Sequence, residues 1–234
     1  LHKAIRRQRQ MCIRDRSCIV ETTVKGLKEL GAKPFIVSAM GSHGGGTEEG
    51  QRKVLAGYGV TEERLGVPVV TTVDTVHLGD CANGRPVWFD RAAYEADLIV
   101  PINRVKLHTD FVGPIQSGLC KMLVIGLGNH KGCSAVHEEA PEVFADVIEE
   151  TARLILKKAP IGFGIAILEN AYDKTYAVEA VPAEGLIERE KELVQIARGN
   201  MPYIMLDEAD VIVCDEIGKD ISGAGFDPNI LGRS

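Results

Sequence analysis

The sequence predicts an α/β fold: a mostly parallel, Rossmann-like sheet with helices on both faces, in a truncated two-domain protein. Three observations predict it. Short apolar runs rich in Val and Ile recur along the chain and alternate with segments of helical periodicity. Turn-forming residues, among them Gly31, Asn83-Gly84 and Met201-Pro202, stand between them. Hydrophobic residues make up 45% and charged residues 26% of 234 positions, a globular balance with enough chain to bury a sizeable core.

The first expected element is a helix over Val20–Leu30, with apolar residues near helical spacing and Gly31 as its stop. Phe35–Met40 reads as a strand and leads into a glycine loop, 41–46. Thr47 then caps a helix to about Tyr58, with Glu48 and Glu49 in the first turn, where the helix dipole favours acids. Val67–Val73 is a strand. Val76–Cys81 and Arg85–Phe89 flank Asn83-Gly84, a hairpin signature. Arg91–Ala96 is a short helix and Leu98–Ile102 a buried strand. Pro141 opens a helix to about Lys158, with apolar residues at 143, 144, 147, 148, 152, 154 and 155 and two lysines in the last turn. Ile161–Leu168 and Thr175–Val181 are strands, Pro182–Arg198 is a helix, and Val211–Cys214 is a last strand before a glycine-rich loop, Gly218–Gly225.

Charge divides the chain unevenly. Six of the 27 basic residues fall in the first 17 positions against one acid, Asp15; the other 217 positions hold 21 basic and 32 acidic residues, a net of −11. The basic segment reads as an Arg-rich transit peptide, a basic arm or foreign sequence. Met11–Arg16 resembles translated sequencing-adaptor strings, which favours the last. The expected organisation is therefore residues 1–17 non-native, 18–205 an α/β catalytic and cofactor-binding domain, and 206–234 the start of a second, truncated α/β domain. An acidic body argues against a nucleic-acid partner. No run of 18 apolar residues exists, so no membrane span is expected. Six cysteines occur without a C-x-x-C pair, which suits free thiols in a cytoplasmic protein.

Chemistry concentrates in Asn103–Met122. An ordinary connection needs only turn residues. This one carries Arg104, Lys106, His108, Asp110, Ser117 and Lys121, with Gly113 and Gly118 to let the backbone bend. In open α/β sheets the loops after strand carboxyl ends hold the ligand. A second candidate is Gly41-Ser-His43-Gly-Gly-Gly-Thr47, between a strand and a helix, where glycines permit close backbone approach and helix-start amides favour anions. An esterase oxyanion loop would look similar, but that class needs Gly-x-Ser-x-Gly, which the chain lacks.

These two segments, with Gly126–Gly132 continuing through His137, resemble the nickel-dependent lactate racemase family, whose members use a nickel-pincer nucleotide; weaker likeness runs from about Cys18 to the end. The resemblance implies that His43 and His108 are the two catalytic bases. It implies that Lys121 joins the cofactor through a thioamide bond and that one histidine ligates nickel beside the pincer's carbon and sulfurs. His137 is favoured for that role, with His130 as rival. Gly44, Gly45, Thr47, Ser117 and Gly118 are expected to touch cofactor, and Arg104, Lys106 and Lys219 substrate. The implied reaction is racemisation or epimerisation of a 2-hydroxy acid. One histidine takes the hydroxyl proton, hydride passes to the cofactor, and return to either face of the 2-oxo intermediate gives either enantiomer.

Three departures put lactate itself in doubt as the substrate. An Asp-Asp-x-Thr-Arg-Pro-like motif is absent, Gly44 follows the first histidine where a bulkier residue is usual, and the loop from His108 to Lys121 is longer. Another 2-hydroxy acid or a sugar acid fits better. A non-catalytic nucleotide- or metal-binding module on the same scaffold is the alternative, since fold does not fix function.

Overall fold

In the computed structural model, which describes residues 17–204, 206, 208, 210–213 and 227–231, strands and helices alternate and the fold is α/β. The expected single, mostly parallel Rossmann-like sheet is not what forms. Among the described residues there are three small sheets. β1 (Ile36–Val37) runs parallel to β2 (Val69–Val70). β3 (Thr75–Asp80) and β4 (Pro86–Asp90) form an antiparallel hairpin. β5 (Ile102–Arg104) lies parallel to β6 (Phe163–Glu169), which pairs antiparallel with β7 (Thr175–Pro182). Connection length explains the pattern. Parallel neighbours need a long crossover. The chain supplies one between β1 and β2 and another between β5 and β6, but only residues 81–85 and 170–174 separate the antiparallel pairs.

The expected strand at Leu98–Ile102 is reduced to a bridge between Ile99 and Ile161, and pairing proper begins at Ile102. Pro101, with no N–H to give, interrupts the ladder. Residues 211–213 carry no strand, and Cys214 with Gly218–Gly225 lies outside the described residues.

Helix α1 covers residues 17–29. Helices α2 (Glu48–Gly57) and α3 (Glu62–Leu65) fill the first crossover; the hydroxyls of Thr47 and Thr61 accept the N–H of Gly50 and Arg64 at their starts. Helix α4 (Arg91–Tyr94) follows the hairpin. The second crossover begins with a helical run absent from the sequence expectation: α5 (Leu119–Lys121), a π-turn (Met122–Gly126) and α6 (Asn129–His137). Most of Gly126–Gly132 is thus helical. Gly126 is there because β1's exit passes close by: a Cβ would stand 2.7 Å from the carbonyl oxygen of Ala39. The hairpin fastens the start of α6. Asp90 donates its N–H to Leu127 O (2.6 Å), and its buried carboxylate accepts from Asn129 Nδ2 (2.8 Å).

Helix α7 (Phe144–Lys158) buries Phe144, Ala145, Val147, Ile148, Thr151, Ala152 and Ile155, a 3.6-residue stripe. Helix α8 (Leu186–Gly199) starts later than Pro182 because that proline still ends β7 and Gly185 turns at φ 82°. The main core gathers around Phe89, Ile115, Leu119, Leu123, Ile148, Ile155, Leu186 and Leu193. A smaller one joins Val24, Val60, Leu65 and Val67. Arg85 ties the hairpin to the end of α6 and to α7, donating to Glu139 (2.8 Å) and Glu150 (2.9 Å). Cys18, Cys81, Cys120 and Cys133 are unpaired thiols. No helix among the described residues is long and apolar enough to cross a membrane.

Candidate active site

The run α5–π-turn–α6 carries contacts to both sequence loops. The glycine loop folds back onto it: Gly41 donates its N–H to Gly126 O (3.0 Å), and the Cys133 thiol donates to Ser42 Oγ (3.6 Å). His43 sits exposed on this loop with Nδ1 2.8 Å from Met40 O. A carbonyl only accepts, so Nδ1 carries the proton and Nε2 keeps a basic lone pair. Gly44 and Gly45 adopt φ 67° and 71°. A Cβ at Gly44 would strike the backbone of Gly50 at 2.5 Å, whereas Gly45 faces open space. The Thr47 hydroxyl donates to Gly44 O (3.1 Å) and accepts from Gly50 N–H (3.2 Å), so it is engaged in shaping the loop.

The second loop is closed by a backbone bridge, Lys106 N–H to Ser117 O (2.8 Å) and Ser117 N–H to Lys106 O (3.2 Å). Within it, buried Gln116 accepts the N–H of His108 (2.7 Å) and donates to Gly113 O (3.0 Å). The Asp110 N–H donates to His108 Nδ1 (3.1 Å). A neutral ring that accepts at Nδ1 carries its proton on Nε2. That nitrogen is 2.6 Å from Lys121 Nζ, so in this tautomer the ring donates to the amine form of the lysine. Electrostatics bring the amine form within reach of neutral pH. Burial, then the charge of Lys106, lower the Lys121 pKa from 10.5 to about 8, against the opposing pull of Asp110 and Cys133. Desolvation beside another cation is how a lysine becomes a nucleophile at neutral pH.

Aromatic rings link this pair to the end of α6. His108 stacks on Phe111 at 4.3 Å, Phe111 meets Phe144 at 5.1 Å, and Phe144 meets the edge of His137 at 5.2 Å. His137 places Nδ1 2.7 Å from Cys133 O, which again fixes the proton on Nδ1 and leaves Nε2 as a ligand lone pair. His130, one turn earlier, faces Ser134 Oγ at 3.2 Å; a hydroxyl gives or takes, so its tautomer is not set. Among the described residues no group of three or more His, Cys, Asp or Glu could hold a metal ion. A metal held here would need most of its ligands from a bound group rather than from these side chains.

Of the other expected site residues, Arg104 is committed to Glu169 at 2.6 Å, and Lys106 is exposed next to the bridge it makes with Ser117. Ser117 is half-buried and Gly118 buried, its carbonyl accepting from Asn103 Nδ2 (2.8 Å). Lys219 lies outside the described residues. Sequence reasoning passed over Asn103 and Gln116, which hold the loop, and Glu190 on α8, which is fully buried beneath it. Glu190 had a legible sign. It occupies an apolar-face position in the series 186, 187, 190, 193, 194, 197, where a charge is out of place. Burial raises its pKa from 4.5 to about 7, against the amides of Cys120 and Leu119, and burial likewise pushes the Cys120 thiol well up.

No curated protein matches the chain. Among solved structures, the lactate racemase apoprotein from Thermoanaerobacterium thermosaccharolyticum shares the fold, with a TM-score of 0.55 at 19% identity over 69% of this chain. The chain spans about 40% of that protein's length. The lactate racemase N-terminal domain family matches residues 11–145, more than half of the chain and a span that takes in His43, His108, Lys121 and His137. The chain therefore belongs to the lactate racemase N-terminal domain family.

Proposed function

We propose that this chain is the cofactor-holding part of an isomerase that racemises or epimerises a 2-hydroxy acid, with a sugar acid or another non-lactate acid as substrate. The observation that carries the reading is Lys121, desolvated to a pKa of about 8 and held 2.6 Å from His108, a lysine readily deprotonated beside an imidazole in the loop of a racemase-family domain. When bound, the nickel-pincer nucleotide supplies nickel and a pyridinium hydride acceptor.

The chain's own residues divide the remaining work. Lys121 attaches the group through a thioamide, for which an uncharged amine is required. His137 offers Nε2 to the metal because its Nδ1–H is anchored on a carbonyl. His43, with a free Nε2 lone pair, takes the 2-hydroxyl proton of one enantiomer. His108 serves the other. In that role Nε2 must hold the lone pair, so the neutral ring would carry its proton on Nδ1 and give up the Asp110 amide contact. Gly44, Gly45, Ser117 and Gly118 line the approach of the nucleotide, and Lys106 faces the substrate carboxylate. The unpaired thiols Cys81, Cys120 and Cys133 support a reducing compartment, the cytoplasm.

The test uses the full-length protein loaded with cofactor, assayed by chiral chromatography against lactate and a panel of sugar acids. His43→Ala and His108→Ala should each slow interconversion by about 10²–10⁴-fold, the usual worth of a general base. Each variant should still change the cofactor's absorbance in a single turnover, with one enantiomer only. Parent-like rates in both variants would remove these histidines from the chemistry. A loaded parent inert to every hydroxy acid would favour a non-catalytic module instead.

A further inference from the structure

Glu190 is the one carboxylate on α8 with 0% exposure. It reaches across to the start of α5, where its Oε2 accepts the N–H of Cys120 at 2.9 Å. Its other oxygen, Oε1, is buried with no hydrogen-bond partner. Gly118, the residue at the cap position of α5, has no side chain to satisfy the free amides there. Nor could it carry one: a Cβ would lie 2.6 Å from the Glu190 carboxyl. The absent side-chain cap of one helix is thus supplied by a carboxylate from another, and a negative charge at a helix start is favourable. Lys121 is only one residue beyond Cys120. The direction of that first turn decides where its side chain points, into the desolvated niche beside His108 or toward water.

We propose that Glu190 is a positioning residue for Lys121, capping in trans the turn that holds the amine against His108. The proposal rests on the reading of Lys121 as the attachment residue. Its cost to the fold is a buried charge with one unpaired oxygen, which an apolar residue at this core position would avoid.

The experiment reads the amine directly, in the chain without cofactor. Competitive labelling with acetic anhydride across pH, followed by mass spectrometry of the Lys121 peptide, gives the midpoint of that single lysine. The parent midpoint should lie near 8. Glu190→Ala should raise it by about one unit or more, toward the ordinary lysine value, because the amine regains water. Leu193→Ala, a cavity in the same helix, should leave it in place. If Glu190→Ala does not fold, Glu190→Asp withdraws the same charge by one methylene and should raise the midpoint too. An unmoved midpoint in the folded Glu190 variants, or an equal rise in Leu193→Ala, overturns this inference alone. A parent midpoint at the ordinary lysine value overturns the attachment reading with it.

Discussion

Lys121 Nζ stands 2.6 Å from His108 Nε2 while the amide of Asp110 donates to the ring's other nitrogen, so with a neutral ring the imidazole gives its proton to the amine form of the lysine. That relationship joins two residues thirteen positions apart into one acid–base unit, and it has a consequence for stability.

The folded protein holds Lys121 at about 8 against an ordinary 10.5. Between those values the unfolded chain binds more protons than the folded one, so this group makes stability rise with pH across that window. Below it the burden is fully present. Lys121→Met should therefore be more stable than the parent at pH 7 by about 1–2 kcal/mol, allowing for partial solvent screening. The gap should close as pH approaches the ordinary lysine value. Urea titrations at several pH values measure it; a gap independent of pH would assign the effect to packing.

The three site histidines should differ in tautomer. His108 should carry its neutral proton on Nε2, and His43 and His137 on Nδ1, because their Nδ1 atoms face carbonyl oxygens. Long-range ¹⁵N–¹H correlation spectra above the imidazole titration range distinguish the two forms. A shared tautomer at all three positions would contradict the loop geometry.

Nickel should follow His137. In the cofactor-loaded full-length protein, His137→Ala should lose the metal with the far-ultraviolet circular dichroism unchanged, since the side chain is exposed at the end of α6. His130→Ala should keep it. Metal analysis of the two purified variants decides between them, and the reverse result would move the ligand one turn up the helix.

Arg85 should matter to stability more than a surface ion pair does. Its side chain is 6% exposed and bridges Glu139 and Glu150, which are 30% and 41% exposed. Arg85→Met should cost about 1–3 kcal/mol, less than a fully buried pair because both acids can regain water. Arg85→Lys should recover less than half of that, having one ammonium in place of a planar fork. Thermal unfolding of the three proteins checks the order.

Local pattern was enough for several elements. The stripe of α7, the Thr47 cap of α2 and the Asn83-Gly84 hairpin depend on neighbours in sequence, and each formed as periodicity and turn chemistry require. The same holds for the concentration of His108, Ser117 and Lys121 in one segment. Other features were hidden because their causes are distant in the chain. The glycines of 126–132 gave no helical signal, yet Gly126 admits the backbone of residue 39 against a helix.

The sequence by itself therefore determined the α/β class and marked out the two segments that bear the candidate residues, since hydrophobic period and motif are local properties. Tertiary structure alone decided that the strands divide into three sheets, because pairing direction follows the length of connections and the packing they allow. It also decided the chemical state of the site. The pKa of Lys121 falls to about 8 because burial and the charge of Lys106 act on it together, and the turn beneath it is capped by Glu190 from seventy residues away. Desolvation and trans capping arise only when separate elements meet.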